Sequence, residues 1–407
     1  MTKRQEQRCR KRLAQFLADL VEPMGRAERR RWAEAYVRGL LLNGERKSVE
    51  PMAAHLPDGN VQAMQQFIGQ SPWEWEPVWE RLAKRMTAEL EAEPVWVIDD
   101  TGFPKQGRHS VGVERQYSGT LGKPGNCQVA VSVHQVGEQG SLPLGWRLYL
   151  PESWAGDPER RRKAGVPEKI VFRRKWELAL EIIDLARAWG LPDRVVLADA
   201  GYGDVTEFRE ELQKRKLRYV VGVKPNTGVW LAPPELTPAT GSGKGRPPKG
   251  VRYGSQRPGT VAGAARQARG WRKIRWREGS KGWLESRFWA ARVRPSHHYQ
   301  YGEPPGKEVW LLAEWPLADS EPRRHWLCDL PATISLRRLV RLATCRWKIE
   351  HGYRQMKDEL GLDHYEGRGW RGWHHHVTMV MLAYAFLTLE TLRSKKNFWL
   401  DPAEDAP

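Results

Sequence analysis

Two short apolar runs in this chain lead directly into aspartate. Val95-Trp96-Val97-Ile98 precedes Asp99-Asp100, and the run from Arg194 to Leu197 is followed, after Ala198, by Asp199. Bounded by Pro94 and Gly102, the first run reads as a buried strand, and so does the second. Carboxylates at the ends of neighbouring strands can converge. Magnesium takes hard oxygen ligands of this kind, with water and phosphate oxygens filling the remaining positions. Two such ions can clamp the attacking and the leaving oxygen of an in-line phosphoryl displacement. An aspartate at a strand end is also a common turn or cap residue, so each one alone has a structural reading beside the chemical one. Neighbours on a strand point to opposite faces, and strand geometry leaves the choice between Asp99 and Asp100 open.

A third acid lies far along the chain. Arg346, Glu350 and Lys357 stand at i, i+4 and i+11 of a helical pattern running from Ser335 to Leu360. At about 100° per residue, Glu350 lies roughly 40° from Arg346 and Lys357 roughly 20°, so the spacing predicts one shared face. A carboxylate between two cations suits a metal and phosphate site. The competing reading is a solvated face with ion pairs one turn apart.

These segments carry a resemblance. I-D-D-T-G-F-P-K at Ile98 to Lys105 resembles the first-aspartate motif of DDE-type transposases of bacterial insertion sequences. L-A-D-A-G-Y-G at Leu197 to Gly203 resembles their second-aspartate motif, and R-W-K-I-E-H-G-Y-R-Q-M-K at Arg346 to Lys357 their glutamate helix. The last matches the Arg, Glu and Lys of the Tyr-Arg-Glu-Lys signature of one branch, and Gly361 to Trp370 is also similar to the family. Where that signature has tyrosine, this chain has Ala343. The resemblance covers about residues 90 to 390. It implies an RNase H-like α/β fold with a β-rich insertion between the second Asp and the Glu. It implies magnesium-dependent cutting and joining of double-stranded DNA at transposon ends, with manganese as a substitute ion. In that branch the catalytic Asp directly precedes Thr, which selects Asp100 before Thr101 and leaves Asp99 a supporting or turn residue. Asp100, Asp199 and Glu350 then become metal ligands, and Arg346 and Lys357 hold phosphate oxygens. Pairing two ends implies a homodimer on DNA.

The elements that must position these residues divide the chain. Residues 1–90 read as helical, the candidate DNA-end-binding domain. Leu13, Phe16, Leu17, Leu20 and Val21 keep one apolar face, a second helix lies near Trp32 to Leu41 after Arg29-Arg30-Arg31, and Asn60 is placed to cap the helix that follows it. Residues 91–223 read as the first part of the catalytic core. The pattern predicts strands at 110–117, 128–135, 144–150 and 218–223, with helices at 175–189 and 205–214. Residues 224–330 form a basic, β-rich insertion with strands at 271–277 and 283–293 and a flexible loop at 241–250. Residues 331–395 complete the core as helices, the last near 375–392, and 396–407 are a tail.

Composition sets the outer bounds. Lys and Arg number 67 against 49 acids, a formal net charge of +18 and a pI near 9.8, which favours a polyanionic partner. The insertion concentrates this charge. From Lys224 to Arg294, 16 Lys or Arg face only Glu235, Glu278 and Glu285. Trp271, Trp276, Trp283 and Trp289 are interleaved with cations, so Arg272, Lys273, Arg275 and Arg277 are candidate DNA contacts, with tryptophans free to stack on bases or to fill a local core. Four cysteines without a C-x-x-C pair argue against a disulfide framework and fit the cytoplasm. Neither a signal core nor a membrane span is predicted, the apolar run Val377 to Leu389 being short for a bilayer. Gly119, Gly122 and Gly125 lack the Lys-Ser/Thr of a phosphate-binding loop. Tyr117, Gln128 and Trp154 read as sheet packing, and His374-His375-His376 as structural or DNA-facing. Two alternatives to a transposase remain at this level. One is a nuclease of the same fold that cuts without joining, the other a binding protein that has lost the chemistry.

Overall fold

A computed structural model describes residues 3–90, 94–238, 250–279 and 282–400. The predicted loop at 241–250 lies, but for Gly250, outside the described residues, as does most of the predicted tail. The chain forms two compact units, one of residues 1–193 and 348–407, the other of residues 194–347.

In the first unit the predicted helices form and share one core with a further helix, Val49–His55, that no periodicity singled out. They span Lys3–Leu20, Ala27–Leu41, Val49–His55, Val61–Gly69 and Glu76–Glu89. Asn60 caps the fourth, its Oδ1 accepting from the Ala63 amide at 2.9 Å. The helix Trp370–Leu400 runs through their midst and packs on the second, fourth and fifth of them. Its stretch Trp370–Ser394 is long and apolar enough to cross a membrane by length and composition, against the shorter reading from sequence, but 67% of its apolar window is buried in the protein. That is the burial of a core helix. The pair Arg12–Glu390, with Nε to Oε1 at 2.9 Å, ties the first helix to this last one.

Four strands complete this unit: β1 (Val95–Pro104), β2 (Glu114–Ser118), β3 (Lys123–Val136) and β4 (Ser141–Leu148). β1 pairs antiparallel with β3 from Val95 opposite Val136 to Pro104 opposite Cys127, which places Asp100 opposite Val131. β2 and β4 pair with β3 along its other edge. The first aspartate motif therefore does not end its strand. The ladder with β3 holds the backbone extended for four residues past Asp100, because Thr101, Gly102 and Phe103 are buried and keep the strand in the core. The helix Lys175–Ala188 packs on β3 and β4. Gln128 and Trp154 are buried and bond the carbonyls of Val111 and Val113. Tyr117 departs from its expected packing and is 64% exposed, because it alternates with buried Ser118 on an edge strand.

The second unit holds β5 (Val196–Ala198), β6 (Tyr219–Val223), β7 (Gly228–Trp230), β8 (Thr237–Pro238), β9 (Val251–Arg252), β10 (Gly259–Thr260), β11 (Arg272–Gly279), β12 (Gly282–Pro295), β13 (Val309–Pro316) and β14 (Arg324–Asp329). β5 and β6 are parallel, joined through the helices Ala200–Gly203 and Thr206–Lys214. From β6 the sheet continues antiparallel through β14, β13 and β12, with β11 and β7 both on β12. β13 and β14 escaped the sequence reading because both of their faces are largely buried, so polar alternation is lost. The single helical pattern predicted over 335–360 is two helices, Leu336–Thr344 and Trp347–Asp358. The Thr344 hydroxyl donates back to the Val340 carbonyl at 2.8 Å, a bond that competes with the helical ladder and helps end the first helix at the turn Cys345-Arg346.

The three consecutive histidines are structural. His374 bonds the Trp370 carbonyl, and His376 meets the Tyr36 hydroxyl and the Gly361 carbonyl. His375 faces the carbonyls of Ile68 and Trp73 and stacks on Trp73 at 3.6 Å. Burial pushes His134 and His374 down to about 3 and His376 to about 4. The folded state therefore excludes protons that the unfolded chain accepts below about 6.5. Stability from these three rings is fully present above pH 6.5 and falls as pH drops toward 4. Burial lowers His375 to about 4 as well, against two carbonyl acceptors that favour the charged ring. A thermal unfolding series from pH 7.5 to pH 5 should show the midpoint falling below pH 6.5, and a flat profile would contradict buried neutral rings.

Candidate active site

Asp100 sits in the middle of β1 with its side chain 30% exposed, and its Oδ2 accepts from Lys175 Nζ at 2.6 Å. Lys175 is the first residue of the helix Lys175–Ala188. Asp99 does not lie in a turn. It is paired with Ser132 in the ladder and its Oδ1 accepts from the Asp100 amide at 2.9 Å.

Two residues on, Gly102 shows why the motif needs glycine. A Cβ there would stand 2.0 Å from Ser118 Oγ, so the β2–β3 hairpin closes onto β1 only where the side chain is absent. Thr120 of that hairpin donates to the Gly102 carbonyl at 3.2 Å, and Lys357 Nζ reaches both Gly102 O at 2.8 Å and Thr120 Oγ1 at 2.9 Å. Burial lowers the Lys357 ammonium below its usual range. Two of its three protons are thus committed to protein oxygens.

Lys357 belongs to the helix that carries Glu350. That helix buries Ile349, Gly352, Tyr353 and Met356 and leaves Glu350 exposed in its first turn, where the helix dipole favours an acid. Its docking is specific. Tyr353 OH lies 2.6 Å from Ser132 Oγ, on the β3 residue opposite Asp99, and Ser132 in turn meets His134 Nε2 at 2.9 Å. A Cβ on Gly352 would lie 2.9 Å from Tyr384 OH.

In the second unit Asp199 follows β5 directly. Its Oδ1 caps the helix Ala200–Gly203 by accepting from the Gly201 amide at 2.9 Å, while its Oδ2 lies 3.2 Å from Arg346. Its side chain is 43% exposed. The glycine at 203 is required here too, since a Cβ would meet Gly222 O at 2.1 Å. Arg346 stands in the turn before the Glu350 helix, not on it, so the one-helix face predicted for Arg346, Glu350 and Lys357 holds only for the last two.

On β11, Lys273 and Arg275 share Glu285 at 2.6 and 3.2 Å, and they hold its carboxyl below the usual range. Arg272 is exposed, and the Arg277 guanidinium lies 4.1 Å from the Trp347 ring centre. Trp271 packs against Trp289 and Trp315, all three half-buried, whereas Trp283 is 57% exposed.

Among the described residues of either unit, no three His, Cys, Asp or Glu side chains gather at metal-holding distance. The donor chemistry of the expected triad nevertheless fits a divalent ion. All three are carboxylates, and Asp100 and Asp199 are partly exposed oxygens already facing one positive charge each. Lys175 and Thr120 carry no signal in the sequence, since nothing in their spacing links them to the acids; Tyr353 lies in the glutamate motif, but its bond to Ser132 appears only in the fold.

A family model described as DDE superfamily endonuclease matches residues 19–283, a span that contains Asp100 and Asp199 and ends before Glu350. A probable transposase for insertion sequence element IS701 from Microchaete diplosiphon is 31% identical over 197 residues, 48% of this chain and 49% of the relative. The chain thus spans about half the length of that curated relative. The solved piggyBac transposase synaptic complex with hairpin DNA is similar at a TM-score of 0.42 and 11% identity, over 90% of this chain and 66% of that one, a likeness too distant to carry an argument. With a family model spanning well over half of its residues, the chain belongs to the DDE superfamily endonucleases.

Proposed function

We propose that the protein is a DNA transposase that cuts at the ends of an insertion sequence and joins them to target DNA. The observation that carries this reading is the family match over both strand-borne aspartates, each partly exposed and each facing a cation. The identity to an insertion-sequence transposase and the net charge of +18 support it.

In this reading the catalytic core is RNase H-like, and Asp100, Asp199 and Glu350 together hold the metal. Bound there, magnesium, or manganese in its place, would activate the attacking oxygen and stabilise charge on the phosphodiester. Water first attacks the phosphodiester at the element end and releases a 3′ hydroxyl. That hydroxyl then attacks a phosphodiester of the target, forming a bond to its phosphorus and expelling the 3′ oxygen of the target strand. Arg346 holds phosphate oxygens beside Asp199. Lys357 has one proton left for a phosphate, and its larger part is to hold the Glu350 helix against β1. Residues 1–90 and the basic segment 224–330 grip the double-stranded DNA, and two copies pair the two ends. A reducing cytoplasm goes with this reading, since no disulfide forms among the described residues.

Asp100→Asn, Asp199→Asn and Glu350→Gln should each reduce cleavage of cloned element ends by at least about a hundredfold, with DNA binding retained through phosphate contacts elsewhere. Brisk cleavage by Asp199→Asn or Glu350→Gln would sink the mechanism. A dead Asp99→Asn beside an active Asp100→Asn would move the first ligand by one residue. Cutting of ends without joining in a strand-transfer assay would reduce the activity to a nuclease. Replacing Arg272, Lys273, Arg275 and Arg277 by glutamine should weaken DNA binding and flatten its salt dependence. Because Glu285 already engages two of the four, the log–log slope should drop by about two, not four, at roughly 0.9 per phosphate contact. An unchanged slope places the DNA elsewhere.

A further inference from the structure

Lys175 is in the wrong place for its helix. It is the first helical residue, following Arg173 and Arg174, where the helix dipole disfavours positive charge. The N-terminus is otherwise well built. Glu177 Oε2 accepts from the Arg174 amide at 2.6 Å, the acid half of a capping box, and Arg173 pairs with Glu181 at 2.6 Å. Lys175 takes no part in that arrangement. Its ammonium points to Asp100 Oδ2 at 2.6 Å, with both side chains about one-third exposed, and the Tyr149 ring centre lies 5.8 Å away. A residue that breaks a local rule at such a position points to function rather than stability. Lys175 also lies outside every motif that carries the family resemblance.

We propose that Lys175 is a placeholder cation for Asp100. Before metal enters, the ammonium neutralises the carboxylate and keeps β1 and the helix Lys175–Ala188 in register. When a divalent ion takes Asp100, the ammonium leaves the carboxylate and turns to a phosphate oxygen of the bound DNA, with the Tyr149 ring beside its path as a second face for the charge. Metal entry and phosphate binding are thereby coupled through one side chain: the ion must displace Lys175, and DNA stabilises the displaced lysine. The inference rests on the reading of Asp100 as a metal ligand.

The test uses the full chain and Mn2+ alone as the probe, with free Mn2+ followed by its paramagnetic resonance signal. Lys175→Gln and Lys175→Met, both checked for an unchanged unfolding midpoint, should bind Mn2+ about fivefold more tightly than the parent, the gain expected from removing a partly exposed competing ion pair. Lys175→Arg should stay near the parent. Asp100→Asn should lose the site, and the double variant Asp100→Asn/Lys175→Gln should match it. On element-end DNA at saturating Mn2+, Lys175→Gln and Lys175→Met should cleave more slowly despite tighter ion binding, a combination that a purely structural lysine would not produce. Unchanged or weaker Mn2+ binding by both neutral variants, with Asp100→Asn deficient, overturns the placeholder and leaves the proposed function standing. Full Mn2+ binding by Asp100→Asn overturns both.

Discussion

The Lys357 ammonium bonds the Gly102 carbonyl and the Thr120 hydroxyl, and in doing so joins three parts of the first unit at one atom. Gly102 is on the strand of Asp100, Thr120 is on the hairpin that folds over that strand, and Lys357 is on the helix of Glu350. Such a contact costs desolvation, which shows in the lowered proton affinity of the lysine. Two hydrogen bonds to protein oxygens offset that cost, and charged donors make stronger bonds than neutral ones. The Tyr353–Ser132–His134 chain adds a second buried anchor from the same helix to β3. Glu350 lies exposed in the first turn of this helix. Its position is inherited from the helix, and the helix is set by these anchors.

Glycine makes this closeness possible. At Gly102 and at Gly203 a single methyl group would collide with a neighbouring oxygen at about 2 Å. Each glycine lies within four residues of an aspartate that the family model covers. The motifs thus mix two kinds of residue: acids that face outward, and glycines that let a second chain segment approach the strand bearing the acid. Reading such a motif as chemistry alone misses half of its content.

The two aspartates are placed by different means. Asp100 is held by a ladder ten residues long and faces a lysine brought from a distant helix. Asp199 follows a strand of only three residues and is held by capping the short helix after it, with an arginine as its partner. The cap reading and the site reading of Asp199, set against each other on sequence grounds, are compatible: one oxygen caps and the other faces the cation.

From the sequence alone, the helices of residues 3–90 other than Val49–His55 were legible, because each buries one face and shows it as a 3.6-residue period. The Asn60 cap, the strand at Val95 and the helix at Lys175 were legible for similar local reasons. The order and identity of the acids were carried by the motifs. What the sequence did not show were properties that arise between distant segments. The first strand continues past Asp100 because β3 offers it partners, which no local propensity encodes. β13 and β14 hide because burial on both faces erases alternation. The break at Cys345-Arg346 depends on one hydroxyl returning to a carbonyl, within a pattern whose periodicity runs straight through it. Lys175 and Asp100 are 75 positions apart in the chain, and their 2.6 Å contact exists only because the helix carrying the lysine packs on β3 and β4. Periodicity reports which face of a segment is buried; only tertiary packing decides what that face meets.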